Sequence, residues 1–186
     1  AEEPANLATA IAIAAKGFEF IVDKGGEPYM LHNFRVMNGL KTKDRELQTI
    51  AILHDCVEDN VCTVDDLIRM KFSQRVIFAV IVLTHDPKHS YEEYIKEIAT
   101  CEDARLVKLE DLKDNMDFTR LKEITAKDLE RLKKTRTNTN ILWKWKGKDY
   151  KCSRNSLACL RKWLLRSSSP IHERRNRILQ YQSTNS

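Results

Sequence analysis

Along residues 5–134 the apolar positions recur at spacings of three and four, the period of helices that each bury one face. Asn6 can cap a first helix whose apolar residues continue to about Phe20. Asp23-Lys24-Gly25-Gly26-Glu27-Pro28 reads as a turn or loop, because paired glycines and a proline break helices. A second helix is expected from Leu31 to Leu40, ending near Gly39, and a third from about Arg45 to Val57. In the third, Leu47, Ile50, Ala51, His54 and Glu58 fall on one stripe. Thr63-Val64-Asp65-Asp66 has the form of a capping box and opens a short helix to Lys71. Ser73 to Leu83 carries Val76, Ile77, Val80 and Ile81, a buried helical face. The same β-branched run suits a strand, but no partner strand is evident nearby. Ser90-Tyr91-Glu92-Glu93 is another capping box, opening a helix to about Ala99. Arg105 to Phe118 is helical by pattern, and Thr125-Ala126-Lys127-Asp128 caps one more helix running to Lys134. No repeat and no hairpin signal interrupts this order, so the expected class is all-α.

After Lys134 the pattern changes. Thr135 to Asn140 is a polar run without periodicity, and all three tryptophans (Trp143, Trp145 and Trp163) fall beyond it. Ser156 to Leu165 has the pattern of a short helix, Ser167-Ser168-Ser169-Pro170 is linker-like, and Arg174-Arg175-Asn176-Arg177 is a charge cluster. We therefore divide the chain into a helical body, 1–134, and a basic tail, 135–186.

Charge sharpens that division. Of 32 Lys and Arg and 27 Asp and Glu, residues 1–130 hold 17 and 25, a net of −8; residues 131–186 hold 15 and 2, a net of +13. The basic isoelectric point describes the tail. A tail of that charge with interleaved Trp suits a nucleic-acid-binding arm. Its abrupt loss of acidic residues and of helical period suits a frameshifted or degenerate end, which we favour. The acidic body makes nucleic acid an unlikely partner for the domain itself.

Cysteine usage and hydropathy narrow the setting. The five cysteines (56, 62, 101, 152 and 159) are odd in number and form no CxxC, which argues against a disulfide framework or zinc knuckle. The longest apolar stretch near the start, Leu7 to Ala15, is too short to span a membrane and lacks a basic start. A cytoplasmic protein of one domain is expected.

Three segments carry candidate chemistry. They are Gly26-Glu27-Pro28-Tyr29-Met30-Leu31-His32, Leu53-His54-Asp55-Cys56-Val57-Glu58-Asp59, and Lys108-Leu109-Glu110-Asp111-Leu112-Lys113-Asp114-Asn115. His32, His54, Asp55 and Asp111 supply two imidazoles and two carboxylates, a donor set that suits Mn²⁺, Fe²⁺ or Zn²⁺. His54 and Asp55 are neighbours, about 100° apart on an ideal helix, so both reach one ion only near a helix end or a distorted turn. Glu58 and Asp59 follow them at i+4, where carboxylates are placed for general acid–base work. Asp111 and Asn115 repeat the i, i+4 relation. Taken singly, Asp59 and Asp114 read as ordinary surface carboxylates, and His85, His89 and His172 as exposed or satisfied side chains. It is the ordered joint pattern that points to a metal-dependent hydrolase.

Together these segments resemble the signature motifs of HD-domain hydrolases. Among these they are similar to the RelA/SpoT-type guanosine 3′,5′-bispyrophosphate hydrolases and their small stand-alone relatives. Thr84 followed by Ser90-Tyr91-Glu92-Glu93-Tyr94-Ile95 resembles the family segment between the doublet and the last ligand, and the likeness covers roughly residues 5–134. The resemblance implies an HD-domain helical bundle that binds one Mn²⁺ through His32, His54, Asp55 and Asp111. It implies that Glu58 and Asp59 help activate the attacking water, and that Asn115 contacts the sugar of a guanosine nucleotide. The implied reaction removes the 3′-pyrophosphate of ppGpp or pppGpp to give GDP or GTP and pyrophosphate, without the synthetase and regulatory domains of long family members. Other nucleotide phosphohydrolases of the HD type, and a silent nucleotide-sensing module, remain the alternatives. The chain departs from the family at Asp23, where the long enzymes carry an arginine that packs on the base, and at Asp117 and Phe118. Lys24 is either a residue that offsets substrate phosphate charge or a solvated loop lysine.

Overall fold

The structure, a computed structural model, describes residues 5–120 and 124–144. Eight α-helices follow one another: α1 (Leu7–Gly17), α2 (Met30–Gly39), α3 (Arg45–Leu53), α4 (Val64–Arg69), α5 (Gln74–Leu83), α6 (Tyr91–Thr100), α7 (Glu102–Asn115) and α8 (Ala126–Lys144). A single 3₁₀ turn, Phe118–Arg120, precedes the last. Among the described residues there is no strand. The one isolated bridge, Val22 to Pro28, closes the glycine loop between α1 and α2. The all-α class expected from the sequence is the class observed.

The caps explain most helix starts. Asn6 accepts from the N–H groups of Ala8 and Thr9. Thr63 and Ser90 form reciprocal capping boxes with Asp66 and Glu93, and Thr125 does the same with Asp128. Asp44 caps α3 and also meets the guanidinium of Arg75 at 2.8 Å, while Arg75 reaches Asp103 at 2.8 Å on its other edge. One arginine on α5 thereby holds the starts of α3 and α7 together.

The core gathers around α3, which packs against α1, α2, α5 and α7. Ile50, Ala51, Ile52 and Leu53 are wholly buried, so the C-terminal half of α3 is covered on every side. The Ser73–Leu83 segment, compatible with strand or helix by pattern, is helix α5, capped by Ser73 and buried along most of its length.

Helix α1 ends at Gly17 and not near Phe20, and α7 spans Glu102–Asn115 and not Arg105–Phe118; two further differences bear on the site and the tail. Helix α3 stops at Leu53 and not near Val57, and residues 54–60 form irregular turns that end with Asn60 in the left-handed region at φ 59°. Glu58 therefore leaves the buried stripe and becomes exposed. Helix α8 does not end at Lys134 but runs to Lys144. Its buried residues are Asp128, Thr135 and Leu142, each two turns after the last. Two of the three are polar, so the stripe shows no hydrophobic period. The hydroxyls of Thr137 and Thr139 bond back to the carbonyls of Lys133 and Thr135 at 3.1 and 2.8 Å, giving these groups partners on the helix itself. The expected tail elements between residues 145 and 186, with Trp145, Trp163, Cys152 and Cys159, lie outside the described residues.

Candidate metal centre

Helix α2 and the end of α3 bring His32, His54 and Asp55 together, and α7 places Asp111 beside them. His32 lies in the first turn of α2, packed beside Tyr29 with ring centres 5.4 Å apart. His54 is the C-cap of α3, and Asp55 follows in the turn that ends the helix. This is the helix end that the doublet needs for both side chains to face inward. Asp111 sits in the last turn but one of α7 and is 3 % exposed.

Ligand atoms of His32, His54 and Asp55 lie within 4.8 Å of one another. The two Nε2 atoms are 3.3 Å apart. Asp55 Oδ2 is 2.9 Å from His54 Nε2 and 3.6 Å from His32 Nε2. Asp111 Oδ1 lies 3.3 Å from His32 Nε2 and 3.9 Å from His54 Nε2. The far ring nitrogens are held elsewhere: His54 Nδ1 is 2.7 Å from the carbonyl of Ala51, and His32 Nδ1 is 2.7 Å from Asp114 Oδ2. With a metal at Nε2, a proton on each Nδ1 would satisfy these acceptors and leave both Nε2 lone pairs directed at the same point.

The electrostatics fit a cation there. Burial works against a charged His32, yet hydrogen bonds to Asp111, Asp114 and Asp55 outweigh it and push the imidazole up to about 11. Burial likewise opposes a charge on His54, and Asp55 and Asp111 nonetheless raise it. Burial alone would raise Asp111, but Lys108 and the two imidazoles hold it well below the usual carboxylate range. Asp55 is depressed against its burial chiefly by His54. A proton and a metal ion answer the same field, and the donor set of two imidazoles and two carboxylates suits a divalent ion.

Several neighbours were not singled out by sequence reasoning. Tyr29 donates its hydroxyl to Asp55 Oδ2 at 2.7 Å, and burial followed by the Asp55 charge raises the phenol so that it keeps its proton. Lys108 pairs with Asp111 Oδ2 at 2.8 Å and lies 5.6 Å from the centre of the Tyr94 ring. Both stand inside the motif segments; the partner of Tyr29 comes from another element, whereas Lys108 meets Asp111 one turn on along α7. Asp114, read singly as a surface carboxylate, is instead a nearly buried partner of His32 and Arg35. Arg131, on α8, donates to Asn115 Oδ1 at 2.9 Å, a link no sequence spacing signals.

The other site candidates fall as follows. Asn115 donates to Asp111 Oδ1, so it touches a ligand candidate directly. Glu58 is exposed and accepts the backbone N–H of His85 at 3.0 Å. Asp59 lies at the surface with its carboxyl partly shielded from solvent, and that desolvation, followed by the charges of Asp55 and Glu58, raises it. Lys24 pairs with Asp128 at 3.6 Å across to α8. Asp23 accepts from Gly25 and Glu27 within its own loop and pairs with Arg35 at 3.3 Å. His85 is satisfied, as expected: its ring packs on Tyr91 and Tyr94 and its Nε2 meets the His89 carbonyl at 3.2 Å. Cys56, Cys62 and Cys101 are free and buried, and among the described residues no helix is long and apolar enough to cross a membrane.

No protein-family model matches the chain. A solved structure does, that of a metazoan ortholog of SpoT described as hydrolyzing ppGpp and playing a role in starvation responses. It matches with a TM-score of 0.64 at 21 % identity, over 89 % of this chain and 97 % of that one. The chain thus has the fold of that SpoT ortholog, the HD-domain helical bundle that its three motif segments led us to expect.

Proposed function

We propose that the chain is a Mn²⁺-dependent hydrolase that removes the 3′-pyrophosphate of ppGpp or pppGpp, releasing GDP or GTP and pyrophosphate. The observation that carries this reading is the facing pair of His32 and His54 Nε2 atoms, 3.3 Å apart, with oxygens of Asp55 and Asp111 beside them. The fold shared with a SpoT ortholog that hydrolyzes ppGpp supports the choice of substrate class. The free, buried cysteines accord with a cytoplasmic setting.

His32, His54, Asp55 and Asp111 would hold the ion. When bound, it would lower the pKa of a water and polarise the phosphoryl group. The chain's own residues supply the rest. Lys108 and Asn115 grip the two oxygens of Asp111 and fix its orientation. Tyr29 does the same for Asp55.

Cleavage between the 3′ oxygen and phosphorus moves one proton from the attacking water to the leaving 3′ oxygen. Asp59, with its carboxyl raised by burial and by neighbouring charge, is suited to accept that proton and return it. Glu58, anchored by the His85 amide, is suited to orient the water. Asn115, bonded to Asp111 and backed by Arg131, is the residue we assign to the sugar. Lys24 can exchange Asp128 for substrate phosphate, since its side chain is 59 % exposed.

The test is ppGpp hydrolysis by purified protein with Mn²⁺, beside Asp55→Ala and Glu58→Ala. Pyrophosphate release that needs the metal and is lost in both variants is expected. Metal uptake with no pyrophosphate release overturns the substrate, and absent uptake overturns the site.

A further inference from the structure

One guanidinium joins two carboxylates that stand far apart in the chain. Arg35 Nε donates to Asp114 Oδ1 at 2.7 Å, and its Nη2 reaches Asp23 Oδ2 at 3.3 Å. The remaining oxygen of Asp114, Oδ2, is the partner of His32 Nδ1 at 2.7 Å. The remaining oxygen of Asp23, Oδ1, accepts the N–H groups of Gly25 and Glu27 at 2.8 and 3.1 Å. A continuous polar chain therefore runs from the glycine loop through Asp23, Arg35 and Asp114 to the back of the His32 ring.

Helix periodicity builds this chain. His32 and Arg35 are three apart on α2 and share a face, as do Asp111 and Asp114 on α7. Helix α7 thus grips one imidazole from both edges, with Asp111 near Nε2 and Asp114 on Nδ1.

We infer that Asp114 and Arg35 are positioning residues for the metal centre. Asp114 accepts the hydrogen bond from His32 Nδ1–H, so that His32 presents an Nε2 lone pair in one fixed direction. Arg35 holds the Asp114 carboxylate in place and ties it to the glycine loop. The inference rests on the reading of His32, His54, Asp55 and Asp111 as a metal-ligand set.

The experiment is calorimetric titration of the full chain with Mn²⁺ and Zn²⁺, without nucleotide, for wild type, Asp114→Asn, Arg35→Gln and Arg35→Lys. The Co²⁺-loaded absorption spectrum reports the ligand geometry of each. Asp114→Asn is expected to weaken metal binding by about 10–100-fold, the range for outer-shell partners of metal-bound histidines. Arg35→Gln is expected to weaken it less, Arg35→Lys to recover part of the loss, and both weakened variants to shift the Co²⁺ bands. Unchanged affinity and spectrum in Asp114→Asn and Arg35→Gln, with wild-type helicity, overturn the inference. Where Asp114→Asn fails to fold, the Arg35 pair decides alone: loss in Gln with recovery in Lys supports the assignment, and equal affinity in both refutes it. A wild-type chain that takes up no ion overturns the metal reading itself, and this inference with it.

Discussion

Tyr29 and Asp55 stand 26 positions apart, yet the phenol hydroxyl lies 2.7 Å from Asp55 Oδ2. The loop that precedes α2 thereby anchors the carboxylate that follows α3. The doublet is irregular backbone, and a partner from another element fixes what the helix no longer can. Tyr29→Phe keeps the ring's packing on Phe18, with ring centres 4.8 Å apart, and removes only the donor. Metal affinity in that variant should fall by roughly tenfold, the lower end of outer-shell effects, while far-UV circular dichroism stays unchanged. Titration calorimetry of Tyr29→Phe beside wild type checks this, and equal affinity refutes it.

Metal removal should lower thermal stability. An ion that binds only the folded chain adds about 2.7 kcal/mol at 100 times its dissociation constant. Calorimetric scans with and without EDTA should therefore show a higher Tm for the metal-loaded protein. The gap should close in His54→Ala, whose imidazole is a candidate ligand. A gap of the same size in that variant places the stabilising ion elsewhere.

The Arg75 cluster predicts a specific acid sensitivity. Hydrogen bonds from Arg75 come first among the causes that hold the Asp44 carboxyl below its ordinary value. A depressed carboxyl contributes stability that is fully present above the unfolded value of about 3.9 and is lost as pH falls through the folded one. Urea midpoints of wild type should thus fall steeply below about pH 4, and those of Arg75→Met should fall less steeply. At neutral pH, Arg75→Met should cost about 1.5–3 kcal/mol, the range for hydrogen bonds to charged groups. Parallel pH profiles for the two proteins would contradict the assignment.

The far end of α8 is testable by contrast between neighbours. Leu142 is wholly buried, whereas Trp143 is 63 % exposed. Leu142→Ala should destabilise by about 2–5 kcal/mol. Trp143→Ala should stay within about 0.5 kcal/mol. Urea unfolding of the two variants compares them, and equal costs would mean that α8 does not pack through Leu142.

Much of the scaffold was legible because its signals are local. The capping residues Asn6, Thr63, Ser90 and Thr125 begin helices where the sequence marks them, since a cap depends on residues two or three positions away. The buried faces of α3 and α5 were legible because apolar period and burial coincide there. Helix α8 was legible only to Lys134, because its later buried positions include Thr135, which carries no hydrophobic signal.

The four ligand candidates were legible as residue types in an order, since donor chemistry belongs to the side chain alone. Their convergence was decided by tertiary packing. Helices α2 and α3 had to meet before ligand atoms of His32, His54 and Asp55 came within 4.8 Å of one another, and α7 before Asp111 Oδ1 lay 3.3 Å from His32 Nε2. Among the partners that aim them, Lys108 lies three residues from Asp111 on α7, whereas Tyr29, Asp114 and Arg35 act across elements and were out of reach of sequence spacing. Their bonds span as many as 82 positions, as between His32 and Asp114. By itself the sequence determined the order of the helices, most of their caps and a set of side chains whose donor atoms suit a metal. The tertiary structure decided which nitrogen of His32 faces the site, because its other nitrogen meets Asp114 from α7, whereas the His54 ring is turned by the Ala51 carbonyl of its own helix.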